Sequence, residues 1–121
     1  MKPEIKQRWV EALRSGNYEQ AHGCLYKPHD EAYCCLGVLT DLAIAEGAVP
    51  HNWARYAGMG SLPSDVRDWA GLEHNDPTVS KEPGDTVVAK GQPGKRFLSG
   101  LNDEGKTFAQ IADLIEQDTD L

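Results

Sequence analysis

DEAYCCLGVLTDLAIAEG, residues 30–47, is the one segment of the chain that is apolar on nearly every side at helical spacing. A helix of that kind has to be covered by the rest of the protein. Asp30 suits the N-cap, where a carboxylate accepts from the first free N–H groups and sits at the positive end of the dipole. Cys35, Leu36, Leu39, Leu42 and Ala43 fall on one stripe, and Cys34, Val38 and Ala45 on a second. Only Thr40, Asp41 and the two ends read as wet. Gly47 can take the left-handed conformation that ends a helix. Gly37 costs about 1 kcal/mol in a helix interior, so it marks close approach by a neighbouring element. The stretch reads as a central buried helix over residues 31–46.

Its covers come from the two ends of the chain. Residues 3–15 read as a first helix, with Pro3 at its start, Gly16 past its end, and Ile5, Trp9, Ala12 and Leu13 on one face. Residues 107–117 read as a last helix. Thr107 and Gln110 fit a capping box there, and Phe108, Ile111, Ala112 and Ile115 make an apolar stripe. Beyond it, residues 118–121 read as a fraying tail. Between the ends, residues 18–21 read as a helical turn and 24–26 as an extended stretch. Residues 48–62 read as a loop whose aromatics either pin it to the core, the plainer reading, or make it a binding lid, and 61–71 as a short helix ended by Gly71. Thr78–Ser80 and Thr86–Ala89 are β-like and are expected to pair as a minor hairpin within residues 78–89. KGQPGKR, residues 90–96, reads as a basic Gly/Pro loop, and residues 97–102 as another short helix. The expected fold is a single compact domain over residues 1–121, mainly α with a small α+β character. Trp9, Trp69 and Phe108 are expected to fill the space between the central, first and last helices.

The totals exclude several classes. A chain of 121 residues and 13.3 kDa is sized for one domain. A net charge of −7 argues against general nucleic-acid binding, which needs basic surface to displace counterions. No apolar run approaches the roughly 20 residues of a membrane span, and no signal peptide opens the chain. The expected location is the cytoplasm. Three cysteines, two of them adjacent, make a poor disulfide framework.

Candidate chemistry is sparse. His22, Cys24, His29, Cys34 and Cys35 carry zinc-ligand atoms, but their spacing matches no zinc pattern. Adjacent helical ligands also point about 100° apart. Small buried hydrophobes are the plainer reading of Cys34 and Cys35. A nucleophilic cysteine would need a base such as His22 or His29 and an electropositive setting, and burial works against it. Lys90, Lys95 and Arg96 offer cations for a phosphate, without the spacing of a phosphate loop. The carboxylate pairs Asp65/Asp68 and Asp103/Glu104 read as capping and solvated positions. No catalytic residue, metal or cofactor is expected.

IKQRWVEALRSGNYEQAHGCL, YCCLGVLTDLA, LPSDVRDWAGLEHNDPTV and LNDEGKTFAQIADLIE occur in that order between Ile5 and Glu116. Together they resemble a family of small uncharacterised proteins of tailed bacteriophages and prophages, with CCLGVL and LNDxGKxFxxIADLI as markers. The resemblance implies a phage accessory protein in the host bacterial cytoplasm, of the kind that interferes with host defence. Sponge proteins of that kind bind cyclic nucleotide or cyclic ADP-ribose signals; others bind a defence protein directly. The first expectation is a non-catalytic module that sequesters a small phosphate-bearing, nucleotide-like ligand. Trp53, Arg55, Tyr56, Lys95 and Arg96 would hold it, aromatics on a base and cations on phosphate. A homo-oligomer fits that expectation, because a site between subunits gives more enclosure. The second is a protein-binding inhibitor using acidic surface around Asp65, Asp68, Glu73, Asp76 and Glu82. A metal- or thiol-dependent enzyme is the third.

Overall fold

Residues 30–33 do not join the central helix. In the computed structural model, which describes residues 1–121, Ala32–Tyr33 form a strand, β3, between two other two-residue strands. These are β1, Glu19–Gln20, which pairs with it in parallel, and β2, Tyr26–Lys27, which pairs with it antiparallel. The helix α2 therefore runs over Cys35–Ala45. Its N-cap is Cys34 instead of Asp30: the Cys34 sulfur accepts from the Gly37 N–H at 3.4 Å. Cross-strand bonds such as Ala21 N–H to Tyr33 O, at 2.7 Å, hold residues 32–33 extended and override the helical pattern. The short turn expected at residues 18–21 is likewise strand β1.

The rest of α2 is enclosed, with Cys35, Leu36, Val38, Leu39 and Ala43 at no exposure. Thr40 is also fully buried, against the sequence reading; its hydroxyl donates to Leu36 O at 2.9 Å, which removes the cost of burying it. Ala45 is exposed. Gly37 sits against the backbone of Leu25, where a Cβ would lie 1.8 Å from the Leu25 carbonyl oxygen. Gly47 has φ +75°, the left-handed stop expected for it.

Helix α1, Pro3–Arg14, and helix α6, Phe108–Gln117, lie chiefly along each other, while α2 packs on α1. Trp9 is fully buried and its indole N–H donates to Cys35 O at 3.0 Å. Phe108 is buried, but Trp69 is only half-buried at the edge of the core. The capping box of α6 is complete, with both Thr107–Gln110 bonds formed. After α6 the tail is tied down. Asp118 is buried, and its carboxylate accepts from the N–H groups of Ser80 and Asp120 at 2.7 and 2.9 Å.

The loop at residues 48–62 contains a one-turn helix, α3, Trp53–Tyr56, and α4 follows as Ser64–Ala70. The expected hairpin within 78–89 does not form. Strand β4, Thr78–Ser80, pairs antiparallel with β5, Lys95–Phe97, and residues 86–88 stay outside any strand with Val87 and Val88 half-exposed. Helix α5, Leu98–Asp103, follows directly. It packs on α2, as α4 does. Helix accounts for 41% of the chain beside two small sheets, so the domain is a mixed α+β one. No helix is long and apolar enough to cross a membrane.

Candidate functional site

The five expected ligand residues do not meet in one place. Lys95 and Arg96 lie on β5, and their charges are engaged within the molecule. Arg96 is buried, its guanidinium held between the carboxylates of Asp85 and Glu104. Lys95 reaches Asp120 at 3.2 Å and the Ser80 hydroxyl at 3.3 Å. The sequence places both on an open loop. The pairing of β5 with β4 instead places them at the foot of α5 and beside the tail. Tyr56 is buried as well, and its hydroxyl donates to Asp65 at 2.9 Å, so its ring is closed to stacking. Arg55 is exposed and forms no ion pair, beside a concavity of about 270 Å³ that it shares with Met59, Pro63 and Ser64.

Trp53 belongs to a different assembly. Its ring lies 4.9 Å from that of Tyr26 and 5.8 Å from that of Tyr33. Tyr26 and Tyr33 are 4.7 Å apart, and Tyr18 meets Tyr33 edge-on at 5.1 Å. All four rings are half-buried. The sheet creates this cluster. Register sets Tyr26 opposite Tyr33 on one face, while Lys27 and Ala32 share the other. The turn after α3 is stitched to the sheet, with Leu25 N–H donating to Met59 O at 2.8 Å and Tyr26 N–H to Ala57 O at 3.2 Å. That brings Trp53 over β2.

Carboxylates border the cluster. The Tyr18 hydroxyl donates to Asp41 at 2.8 Å. Burial, then the charge of Asp41, the Tyr26 hydroxyl and Glu31 push the Tyr33 hydroxyl up to about 12. Burial and the Asp41 bond raise Tyr18 further. These phenols stay neutral donors at physiological pH. The sequence reading singled out Trp53 and missed the three tyrosines. Four of the chain's seven Tyr and Trp residues meet here through two-residue strands, which no periodicity announces.

The thiols are taken up by the fold. Cys34 caps α2, and burial pushes its thiol up to about 11. Cys35 is fully buried, lies 3.6 Å from Leu98 O, and is raised well above its ordinary value by burial. Cys24 is half-buried and lies 3.6 Å from Tyr26 O. No three His, Cys, Asp or Glu side chains converge in a metal-binding arrangement.

The proposed acidic face is also largely engaged. Asp65 accepts from Tyr56, Asp68 pairs with Arg67 at 3.0 Å, and Glu82 pairs with Lys106 at 2.7 Å. Asp76 accepts from the Ser99 hydroxyl at 2.9 Å, which leaves Glu73.

Asn102 is a further residue that sequence reading passed over. It is fully buried and makes four bonds. Its Oδ1 accepts from Cys35 N–H and the Gln20 amide at 3.1 and 2.9 Å, and its amide donates to Ala21 O and Asp103 at 2.8 and 3.2 Å. It joins β1, α2 and α5, so the LND marker is an architectural joint, as CCLGVL is.

A family model described as a domain of unknown function, DUF8296, matches residues 1–119, and the chain belongs to that family. No curated protein and no solved structure matches the chain.

Proposed function

We propose that this DUF8296 protein is a non-catalytic binding module, a phage accessory protein that acts by occupying a host defence protein. The observation that carries the reading is the half-buried surface cluster of Tyr18, Tyr26, Tyr33 and Trp53. Tyr and Trp supply large, rigid contact area at protein interfaces, and a few such residues dominate binding energy. Small-molecule sites are enclosed, mostly apolar cavities. Surface concavities of about 270 to 480 Å³ are lined mainly by polar side chains, and none of these includes a ring of this cluster. The bacteriophage setting rests on the resemblance carried by CCLGVL and LNDxGKxFxxIADLI.

Capture of a nucleotide-like ligand is the second reading. It is favoured by one observation, a half-exposed Trp53 two residues from the unpaired guanidinium of Arg55. Two experiments separate the readings. Tagged protein is used to capture partners from bacterial lysate, with Trp53→Ala as the control. A protein retained by the wild type and lost by the variant is expected; equal recovery on both would retire the interface reading. Calorimetry with cyclic nucleotides and cyclic ADP-ribose isomers is expected to be silent. Heat of binding that Trp53→Ala abolishes would install the second reading instead.

A further inference from the structure

The aromatic cluster has a definite electrostatic character. Asp41 touches Tyr18, and Asp41 and Glu31 both act on Tyr33. Lys27, the basic residue of this sheet, shares the opposite face with Ala32. Arg55, the nearest cation along the chain from Trp53, lines the concavity that holds Tyr56 and Asp65. The whole chain carries −7. Aromatic faces carry negative quadrupole charge and attract cations, most strongly for Trp, then Tyr. Ring faces and carboxylates therefore add with the same sign here. A phosphate brought to this face would meet repulsion from Asp41, which is in direct contact with Tyr18, at short range where screening is weak, with the charge of Glu31 adding to it.

Resting on the binding-module reading, we infer that the cluster accepts a basic side chain of the partner protein, an arginine stacked on Tyr26 and Trp53 with Asp41 and Glu31 as its counter-charges. Arginine fits better than lysine for two physical reasons. Its planar guanidinium stacks on rings while its edge still donates to a carboxylate, and it is more weakly hydrated, so covering it costs less. Asp41 is suited to the second contact. Only its Oδ2 is bonded to Tyr18, which leaves Oδ1 to accept. The phenols of Tyr18 and Tyr33 stay protonated far above neutral pH, so the face does not become anionic by their ionisation.

The test is selection from a random peptide library displayed against the intact protein, with Trp53→Ala and Asp41→Asn as comparisons. Asp41→Asn keeps an acceptor for Tyr18 and removes only the charge, so it reports on the counter-charge without dismantling the cluster. Peptides enriched in arginine over lysine are expected. Their affinity should fall at least about tenfold in Trp53→Ala and by a smaller factor in Asp41→Asn. Enrichment of acidic or uncharged peptides, or none above the Trp53→Ala background, overturns the inference. So does an affinity that Asp41→Asn leaves unchanged. Selected peptides that still bind Trp53→Ala at full strength would show that the cluster is not the contact surface, and the interface reading would fall with it. Peptides that need Trp53 but carry no basic residue would defeat the cation inference alone.

Discussion

Two small sheets of very short strands flank the core, and they treat their conspicuous side chains in opposite ways. In the β4–β5 pair, Lys95 and Arg96 are drawn onto Asp120, Asp85 and Glu104 of the same molecule. In the β1–β3–β2 sheet, Tyr26, Tyr33 and their neighbours Tyr18 and Trp53 stay half-exposed, with carboxylates at their border. Basic residues in an acidic chain find internal partners readily, so a basic loop is weak grounds for a phosphate site. The rings of Tyr26, Tyr33 and Trp53 pack on one another at the surface, and on the proposed reading a partner completes their burial.

The two sheets are held apart by the frame around α2, and disturbing that frame has the largest effect. Gly37→Ala puts a Cβ into the Leu25 carbonyl, and backbone cannot yield there without moving β2 away from α2. Urea denaturation is expected to show a loss of more than about 3 kcal/mol. Asn102→Ala strips partners from Cys35 N–H, Gln20 and Ala21 O, and should cost about 3 kcal/mol in the same assay. A neutral result for either variant would mean that the two markers are not structural joints.

Arg96→Met tests the inward-turned side and should cost less than Asn102→Ala. It should also change the acid limb. The Val87 N–H and then Arg96 hold the Asp85 carboxyl below its usual range. A lowered carboxylate contributes stability above its unfolded pKa, and that contribution disappears as pH falls through the lower folded value. Denaturation of the wild type across pH 5 to 2 should therefore show a loss that Arg96→Met reduces. Identical pH profiles would remove Asp85 from the account.

Asp76 provides the smallest effect, of opposite sign. Burial raises its carboxyl, and its Oδ1 is buried without a partner. A raised carboxylate favours the fold while protonated and opposes it as pH rises past its unfolded value. Asp76→Asn keeps the Ser99 bond and should raise the melting midpoint slightly at pH 7, with little change near pH 3. A lower midpoint at pH 7 would mean that the charge is used.

The elements legible in sequence were those that local chemistry settles. Helix α6 follows its capping box, α1 its Pro3 and Gly16, and the ends of α2 and α4 their Gly47 and Gly71. The close approach at Gly37 was legible because an interior helical glycine asks for a reason. The start of α2, the partner of β4 and the pairing of the β1–β3–β2 sheet were not legible, although residues 24–26 read as extended and β2 begins at Tyr26. Each depends on pairings across the chain that two- or three-residue strands do not advertise. The candidate site suffered from the same cause. Trp53 stood out in its loop, but Tyr26 and Tyr33 become neighbours only through strand register. Arg96 looked exposed because nothing nearby in sequence reveals that Asp85 and Glu104 enclose it.

On the proposed reading, contact with a partner runs through the outward rings and not through the inward cations. Lysate capture by the wild type, Trp53→Ala and Lys95→Ala, matched for folded content, tests it directly. The account predicts that Lys95→Ala recovers the same protein as the wild type and that Trp53→Ala does not. Recovery that survives Trp53→Ala and is lost in Lys95→Ala would contradict it.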